Sequence, residues 1–296
     1  MKKSVSLLLA GLMLCGALTG CGGNNSTAEN TDSQTAESTT GTSGAIHVVS
    51  REDGSGTRGA FVELTGVEDD NGDNTTVEAE IANRTDAVLT TVAGNEAAIG
   101  YVSLGSLNDT VKAVTVDGVE ATVDNVKSGD YTLSRPFNIA TKGEPTGVAA
   151  DFIGFIMSAD GQAIVGEDYI TVNDNAEAFT SDGSSGHITV GGSSSVSPVM
   201  EQLIEAYKAV NPNAQIDLQT SDSTSGMTGA MDGTFAIGMA SRELKDEEAA
   251  ELTGTAIALD GIAVIVNTAN TVDNLTMDQI RSIYVGETTD WADVAA

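Results

Sequence analysis

Apolar and polar positions follow two recurring rhythms along the chain. Short runs of aliphatic and β-branched residues predict strands. Longer stretches with apolar residues every three to four positions predict helices packed against them. From Ile46, "IHVVS" predicts a strand that runs into a glycine-rich loop, and "RGAFVELTG" predicts a helix start. "DAVLTTVAGN" predicts a helix and "AAIGYVSLGSL" a strand, while "VKAVTVDGVEAT" predicts a hairpin with Asp117-Gly118 at its turn. "FNIAT" predicts a strand, and "GVAADFIGFIMSADGQAIVGEDY" spaces its apolar residues as one buried helix would. The second half repeats the style. "HITVGG" predicts a strand and "VMEQLIEAYKAVNP" an amphipathic helix stopped by Asn211-Pro212. "QIDLQTS" and "FAIGMAS" predict strands, "RELKDEEAAEL" a helix, "AIALDGIAVIVN" a long strand and "TMDQIRSIYVG" a helix. Strand-then-helix alternation predicts an α/β fold with mostly parallel sheets and helices on their faces.

Composition narrows the function. At 296 residues the chain accommodates one large domain or two lobes with real cores. The formal charge of −30 argues against nucleic acid, whose phosphate backbone requires a basic face. A small anion is still admissible, because a ligand in a cleft feels local donors more than a distant surface field that salt screens within about 10 Å.

The N-terminus, "MKKSVSLLLAGLMLCGALTGC", begins with Lys2 and Lys3 and continues as an apolar run over residues 4–18. That run is shorter than the roughly 20 residues a membrane-spanning helix needs. Its end, Leu18-Thr19-Gly20-Cys21, resembles a bacterial lipobox, which implies cleavage before Cys21 and lipid on its thiol. Residues 1–21 then form a lipoprotein signal peptide. Residues 22–44 lack apolar periodicity and read as a disordered tether. With Cys15 lost and Cys21 lipidated, no cysteine is left for a disulfide, a thiolate metal site or a nucleophile.

Four strand ends lead into small, hydroxyl-rich loops: Asp53-Gly54-Ser55-Gly56-Thr57, Ser193-Ser194-Ser195, Thr224-Ser225-Gly226 and Ala240-Ser241-Arg242. Each precedes a predicted helix. Ligands of open α/β sheets bind outside the carboxyl ends of strands, and helix N-termini carry unpaired N–H groups and partial positive charge. Ser and Thr are also common caps and Gly a common turn residue, so one such loop alone says little. Four together, one beside Arg51, describe a cage of neutral donors around a desolvated oxyanion. Arg51 adds a planar fork able to bond two of its oxygens.

"ITVGGSSSVSPVMEQLIEAY", "SDSTSGM", "IGMASRELK", "ALDGIAVIVN", "IRSIYVGETTDWADV" and "VVSREDGSGTRGAFVEL" resemble the substrate-binding proteins of bacterial ABC phosphate importers, the PstS-like family. The likeness runs from about residue 45 to 296, and "SREDGSGT" is its most specific piece. It implies a two-lobed, type II periplasmic-binding-protein-like α/β fold with two crossing strands and the anion held between the lobes. It implies Arg51 as the bidentate arginine, Ser55, Gly56 and Thr57 as donors, and Asp53 as the carboxylate orienting Arg51. Ser195, the N–H of Val196, Thr224, Ser225 and Ser241 complete the implied site. It implies a monomer on the outer face of the cytoplasmic membrane, held by lipid on Cys21, that delivers inorganic phosphate to the importer's permease subunits with no cofactor.

Two departures stand out. Some members of the family carry an Asp where this chain has Ser241, a carboxylate that accepts the proton phosphate carries and sulfate lacks. The order also differs, since the family normally begins with the "ITVGGSSS" half and here "SREDGSGT" comes first. This predicts a circular permutation in which Thr180 to His187 joins the usual ends and Val294 lies within about 18 Å of Ile46. Crossing strands near Arg135-Pro136-Phe137 and Leu259-Asp260-Gly261 would divide the chain. One lobe would combine residues 45–133 with 261–296, and the other would hold 134–260. Receptors for sulfate, tungstate or molybdate are the alternative, and a phosphate-ester hydrolase is a further one. The hydrolase lacks an evident machinery: His47 and His187 lie in no metal-binding pattern, and no G-x-S-x-G elbow surrounds Ser55. "DDNGDNTTVEAE" departs from a calcium loop, because Asn74 stands where the loop needs Gly.

Overall fold

The unbroken apolar positions of "HVV" form β1 (His47–Arg51), whose last four residues are buried. The structure, a computed structural model, describes residues 42–294. The predicted signal peptide, Cys21 and residues 22–41 of the predicted tether lie outside the described residues. The last tether positions are paired with the domain: Thr42 N donates to Thr271 Oγ1 (2.6 Å) and Gly44 N to Asp290 Oδ1 (3.1 Å).

After β1 come α1 (Gly56–Thr65), a small ribbon of β2 (Glu68–Asp69) and β3 (Gly72–Asp73), β4 (Glu80–Ala82), α2 (Thr85–Gly94) and β5 (Ala98–Ser103). The predicted hairpin has its turn, with Asp117 at φ 51° and Gly118 at φ 80°, the doubly left-handed geometry of a primed turn. Only Val116 and Val119 pair across it. Its arms are recruited elsewhere: β6 (Val111–Ala113) pairs with β12 (Thr253–Asn267), and β7 (Thr115–Val116) with β13 (Asn274–Leu275). Helix α3 (Val123–Ser128) then leads into β8 (Ser134–Thr141).

The single helix predicted over residues 147–169 is two helices, α4 (Val148–Ile156) and α5 (Ala159–Asp168), bent by 57°. Ser158 breaks the run by capping α5: its hydroxyl accepts from Gly161 N at 3.3 Å. Beyond it lie β9 (Gly186–Ser193), α6 (Ser197–Val210), β10 (Ala214–Ser221), α7 (Ser223–Asp232) and β11 (Ile237–Ala240). The helix predicted over residues 242–252 shrinks to α8 (Asp246–Ala249), because Arg242 is drawn into an ion pair with Glu248 (2.7 Å). Helix α9 (Met277–Tyr284) follows β13.

Nine strands join in one sheet of order β10-β9-β11-β8-β12-β5-β1-β4, with β6 also paired to β12. The flanks are parallel, as expected. The centre is antiparallel, because β8 and the 15-residue β12 run past each other. Their register sets Arg135 against Asp260 and Pro136 against Leu259. Two main cores flank this point. One gathers side chains such as Phe61, Tyr101, Leu133, Ile262 and Trp291, and the other Phe137, Phe152, Met200, Tyr207 and Ile257. Near the chain's end, Ile46 N donates to Thr289 O (2.8 Å) and Trp291 N to Gly44 O (3.0 Å). The "WADV" segment therefore lies beside the start of β1, as the permuted order predicts.

The Ser- and Gly-rich segment from Thr180 to His187 is mostly exposed but firmly tethered by Asp151 on α4, itself 7% exposed. Asp151 accepts from Ser181 Oγ (2.6 Å), Asp182 N (2.9 Å), Tyr207 Oη (2.7 Å) and Asn211 Nδ2 (3.2 Å). Burial pushes its carboxyl up, but these donors together outweigh burial and hold it below its ordinary value of 3.8. Asp151→Ala is expected to cost about 3 kcal/mol, since it strands buried donors once bonded to a charge. A depressed carboxyl stabilises the fold above its unfolded value and loses that contribution as pH falls through the lower folded value. The stability gap between wild type and variant, read by urea unfolding, is therefore full at neutral pH and narrows below about pH 4.

Candidate anion-binding site

Helix α1 starts inside the "DGSGT" loop. Ser55 caps it, its hydroxyl accepting from Arg58 N at 3.3 Å, so Gly56 and Thr57 occupy the first turn, where helical N–H groups lack partners within the helix. Thr57 Oγ1 lies 2.8 Å from Ser195 Oγ and 3.3 Å from Ser241 Oγ. Ser195 Oγ is 3.3 Å from Thr85 Oγ1, which is 3.2 Å from Ser194 Oγ. Ser193 Oγ donates to Ser241 Oγ at 3.0 Å. Six hydroxyls from four segments far apart in sequence thus meet in one buried cluster. A buried patch of mutually bonded hydroxyls is costly to dehydrate for packing alone, and it is well matched to a ligand rich in acceptor oxygens.

Arg51, 2% exposed, borders the cluster. Its Nη2 donates to Ser194 Oγ at 3.1 Å and its Nη1 to Thr85 Oγ1 at 3.4 Å. The carboxylate that holds its fork is Glu52, accepting from Nε at 2.8 Å and from Nη2 at 2.7 Å. Asp53, expected in that role, instead pairs with Arg58 Nη1 at 2.8 Å. The reason is local: Arg58, from the first turn of α1, folds back to Arg51 O (2.8 Å) and draws Asp53 outward.

Two other expected residues are engaged elsewhere. The N–H of Val196 closes a turn on Ser193 O at 3.1 Å, and the Val196 side chain is fully buried in the apolar core. Ser225 is exposed and bonded to its cap Asp222, Oγ to Oδ2 at 2.6 Å. From that loop it is Ser223 that faces the site: its Oγ accepts from Ser241 N at 3.1 Å. Thr224 stands at the rim, its N–H donating to Gly54 O at 3.1 Å across the cleft. Ser223 had a legible signal, the capping Asp222 immediately before it. Thr85 had a weaker one, as the first residue of α2.

Arg135 also reaches the cluster, from the crossing strand β8. Its Nη2 donates to Thr57 Oγ1 at 3.0 Å, and its Nη1 donates to Gly261 O at 2.8 Å and lies 2.6 Å from Asp260 Oδ2. Both ions are buried, so dehydration works against both charges. It lowers the Arg135 guanidinium, with Asp260 pulling it back, and lifts the Asp260 carboxyl to about 6 against the pull of Arg135. Beside the cluster, Thr85 and Ser194 open onto a cavity of about 520 Å³ that is also lined by Arg84, Ser197, Glu201 and Thr220. Among the described residues no three His, Cys, Asp or Glu side chains gather as metal ligands. His47 pairs with Glu80 and His187 with Asp217, each at 2.8 Å, outside the cluster.

Known proteins share this arrangement of the chain. A family model described as "PBP superfamily domain" matches residues 25–160 and 177–296. The phosphate-binding protein PstS 2 of Streptococcus agalactiae serotype V is 46% identical over 301 residues, covering 99% of this chain and 98% of its own. PstS 2 of Streptococcus pneumoniae serotype 4 is 44% identical over 297 residues, covering 98% and 99%. These matches run colinearly from end to end, so the segment order of this chain is also theirs. The crystal structure of a phosphate ABC transporter's phosphate-binding protein from Streptococcus pneumoniae TIGR4 superposes with a TM-score of 0.69 at 46% identity, covering 85% of this chain and 100% of that one.

Proposed function

This chain belongs to the PBP superfamily and, within it, to the PstS phosphate-binding proteins, and from that membership we propose that it captures inorganic phosphate between two lobes for an ABC importer. Its place is outside the cytoplasm. The observation that carries the reading is the buried hydroxyl cluster built from both sides of the crossing strands and flanked by Arg51. Thr57 and Thr85 come from the segment before β8, and Ser193, Ser194, Ser195 and Ser241 from the segment between β8 and β12.

The lobes are residues 45–133 with 261–296, and residues 134–260. The two main cores support that division: apart from Ile170, the buried side chains of one come from residues 48–133 and 262–294, and those of the other all come from residues 137–258. Arg51, Gly56, Thr57, Ser195 and Ser241 hold the anion, with Ser55 setting the turn and Thr224 closing the rim. An anion bonded to both lobes stabilises the state in which they meet, so capture is closure. Lipid on Cys21 keeps the receptor at the outer face of the cytoplasmic membrane, where its closed form meets the permease subunits. Calorimetry of the purified chain tests the reading. One phosphate is expected to bind per chain without turnover, and an absence of heat with phosphate would overturn it.

Ser241 bears on the choice between phosphate and sulfate. Its Oγ, 3.0 Å from Ser193 Oγ and 3.3 Å from Thr57 Oγ1, is neutral and accepts a hydrogen bond without repelling a fully ionised anion. Ser241→Asp is expected to weaken sulfate at least about tenfold more than phosphate at pH 7, because only phosphate brings a proton for the new carboxylate. Paired calorimetric titrations check this; equal losses for both anions at every pH would remove Ser241 from the site.

A further inference from the structure

Arg135 lies outside every glycine- and hydroxyl-rich loop, yet one arm of its guanidinium ends among the clustered hydroxyls. The bonded series runs from Arg51 through Ser194, Thr85, Ser195 and Thr57 to Arg135. Two buried guanidinium groups therefore close the two ends of one hydroxyl path. Arg51 gives its Nε and one Nη2 hydrogen to Glu52, so only its remaining Nη hydrogens face the cluster. A second guanidinium adds charge-assisted bonds to a doubly charged phosphate beyond those the neutral hydroxyls supply.

Arg135 is placed to supply that second guanidinium. Its pairing with Asp260 is close, at 2.6 Å, and runs through Nη1, which also donates to Gly261 O, while Nε has no hydrogen-bond partner among the described residues. The fork thus leaves its Nε unbonded, whereas Arg51 gives both Nε and Nη2 to Glu52. The Phe137 ring, 5.3 Å from Cζ, steadies the cation without taking up its N–H groups. Only the Nη2 hydrogen bond to Thr57 must be redirected for the guanidinium to bond an anion oxygen.

We propose that Arg135 is a second guanidinium ligand of phosphate, so that the anion is gripped by the crossing strands as well as by the two lobes. This rests on the reading of the hydroxyl cluster as the phosphate site. The competing role is structural, a buried ion pair that merely fixes β8 against β12. Arg135→Met alone would leave Asp260 as an unpaired buried carboxylate, so it is combined with Asp260→Asn. Wild type, the double variant and Arg135→Lys are titrated with phosphate by calorimetry as full chains, and their melting temperatures are followed with and without phosphate. The double variant is expected to lose at least about thirtyfold in phosphate affinity and most of its phosphate-induced rise in melting temperature. Arg135→Lys keeps the charge without the planar fork and is expected to lose about tenfold. Phosphate affinity within twofold of wild type in the double variant overturns the assignment, even if its melting temperature falls, and leaves the phosphate reading standing. Affinity within twofold in Arg135→Lys overturns it as well, should the double variant prove unfolded. Failure of the wild type to bind phosphate overturns the functional reading itself and the assignment with it.

Discussion

Arg51→Ala is expected to lower phosphate affinity by roughly two to four orders of magnitude while leaving the fold in place. Two guanidinium N–H groups already point at the cluster, toward Ser194 and Thr85, and each becomes a charge-assisted bond when an anion replaces a hydroxyl. Such bonds contribute about 1.5–3 kcal/mol apiece, and every 1.4 kcal/mol is about tenfold in affinity. The stability cost is small because the partner left behind, Glu52, has a side chain 21% exposed and can turn to water. That distinguishes it from the Asp260 left by loss of Arg135, which is 1% exposed. Calorimetry with phosphate, alongside thermal unfolding without it, separates lost binding from lost structure. Binding within twofold of wild type would show that the anion does not sit beside Arg51.

Much of the frame is legible in the residues because it depends on local periodicity. The strands "HVV", "HITVGG" and "AIALDGIAVIVN" and the helix stopped at Asn211-Pro212 all form where the apolar rhythm puts them. The antiparallel centre was not legible, since strand direction depends on which elements meet, and β8 meets β12 across more than a hundred residues. Helix α4 ends at Ile156 because Ser158 caps a new helix, and an apolar count over the same stretch passes through that capping residue unchanged.

The site divides along the same line. Four loops rich in Ser, Thr and Gly were recognisable as donors, and three of them place hydroxyls in the cluster. Which hydroxyl of a loop faces inward is a matter of cap geometry. Asp222 holds Ser225 outward by two bonds, and Ser223 is left facing Ser241. The exchange of Asp53 for Glu52 follows from competition with Arg58, a contact between residues five apart that no motif encodes. Arg135 was legible only as a strand residue. Its approach to Thr57 comes from the crossing of β8, not from any neighbour in sequence.

Gly56→Ala is expected to weaken phosphate roughly ten- to a hundredfold without destabilising the unliganded protein. A Cβ at Gly56 would lie 2.4 Å from Ser223 Oγ, 2.9 Å from Ser241 Oγ and 3.0 Å from Arg242 Cγ. None of these neighbours yields freely. Ser223 accepts from Ser241 N, Ser241 is bonded to Ser193, and Arg242 is held by both oxygens of Glu248. All three belong to the segment between β8 and β12, whereas Gly56 opens α1 on the other side of the cleft. The clash therefore exists only when the two sides meet, and overpacking of this kind costs about 1–3 kcal/mol. Alanine itself suits the first turn of a helix, so the side carrying α1 loses nothing when the cleft is open. Gly59→Ala is the control: it lies one turn along the same helix and its Cβ would touch nothing within 4 Å. In phosphate calorimetry Gly59→Ala should match wild type while Gly56→Ala fails to, and small-angle scattering should show the Gly56 variant remaining expanded at phosphate concentrations that compact the other two. Equal affinity in both variants would mean that phosphate is held without seating Ser223 and Ser241 on α1, and capture by closure at this surface would have to be abandoned.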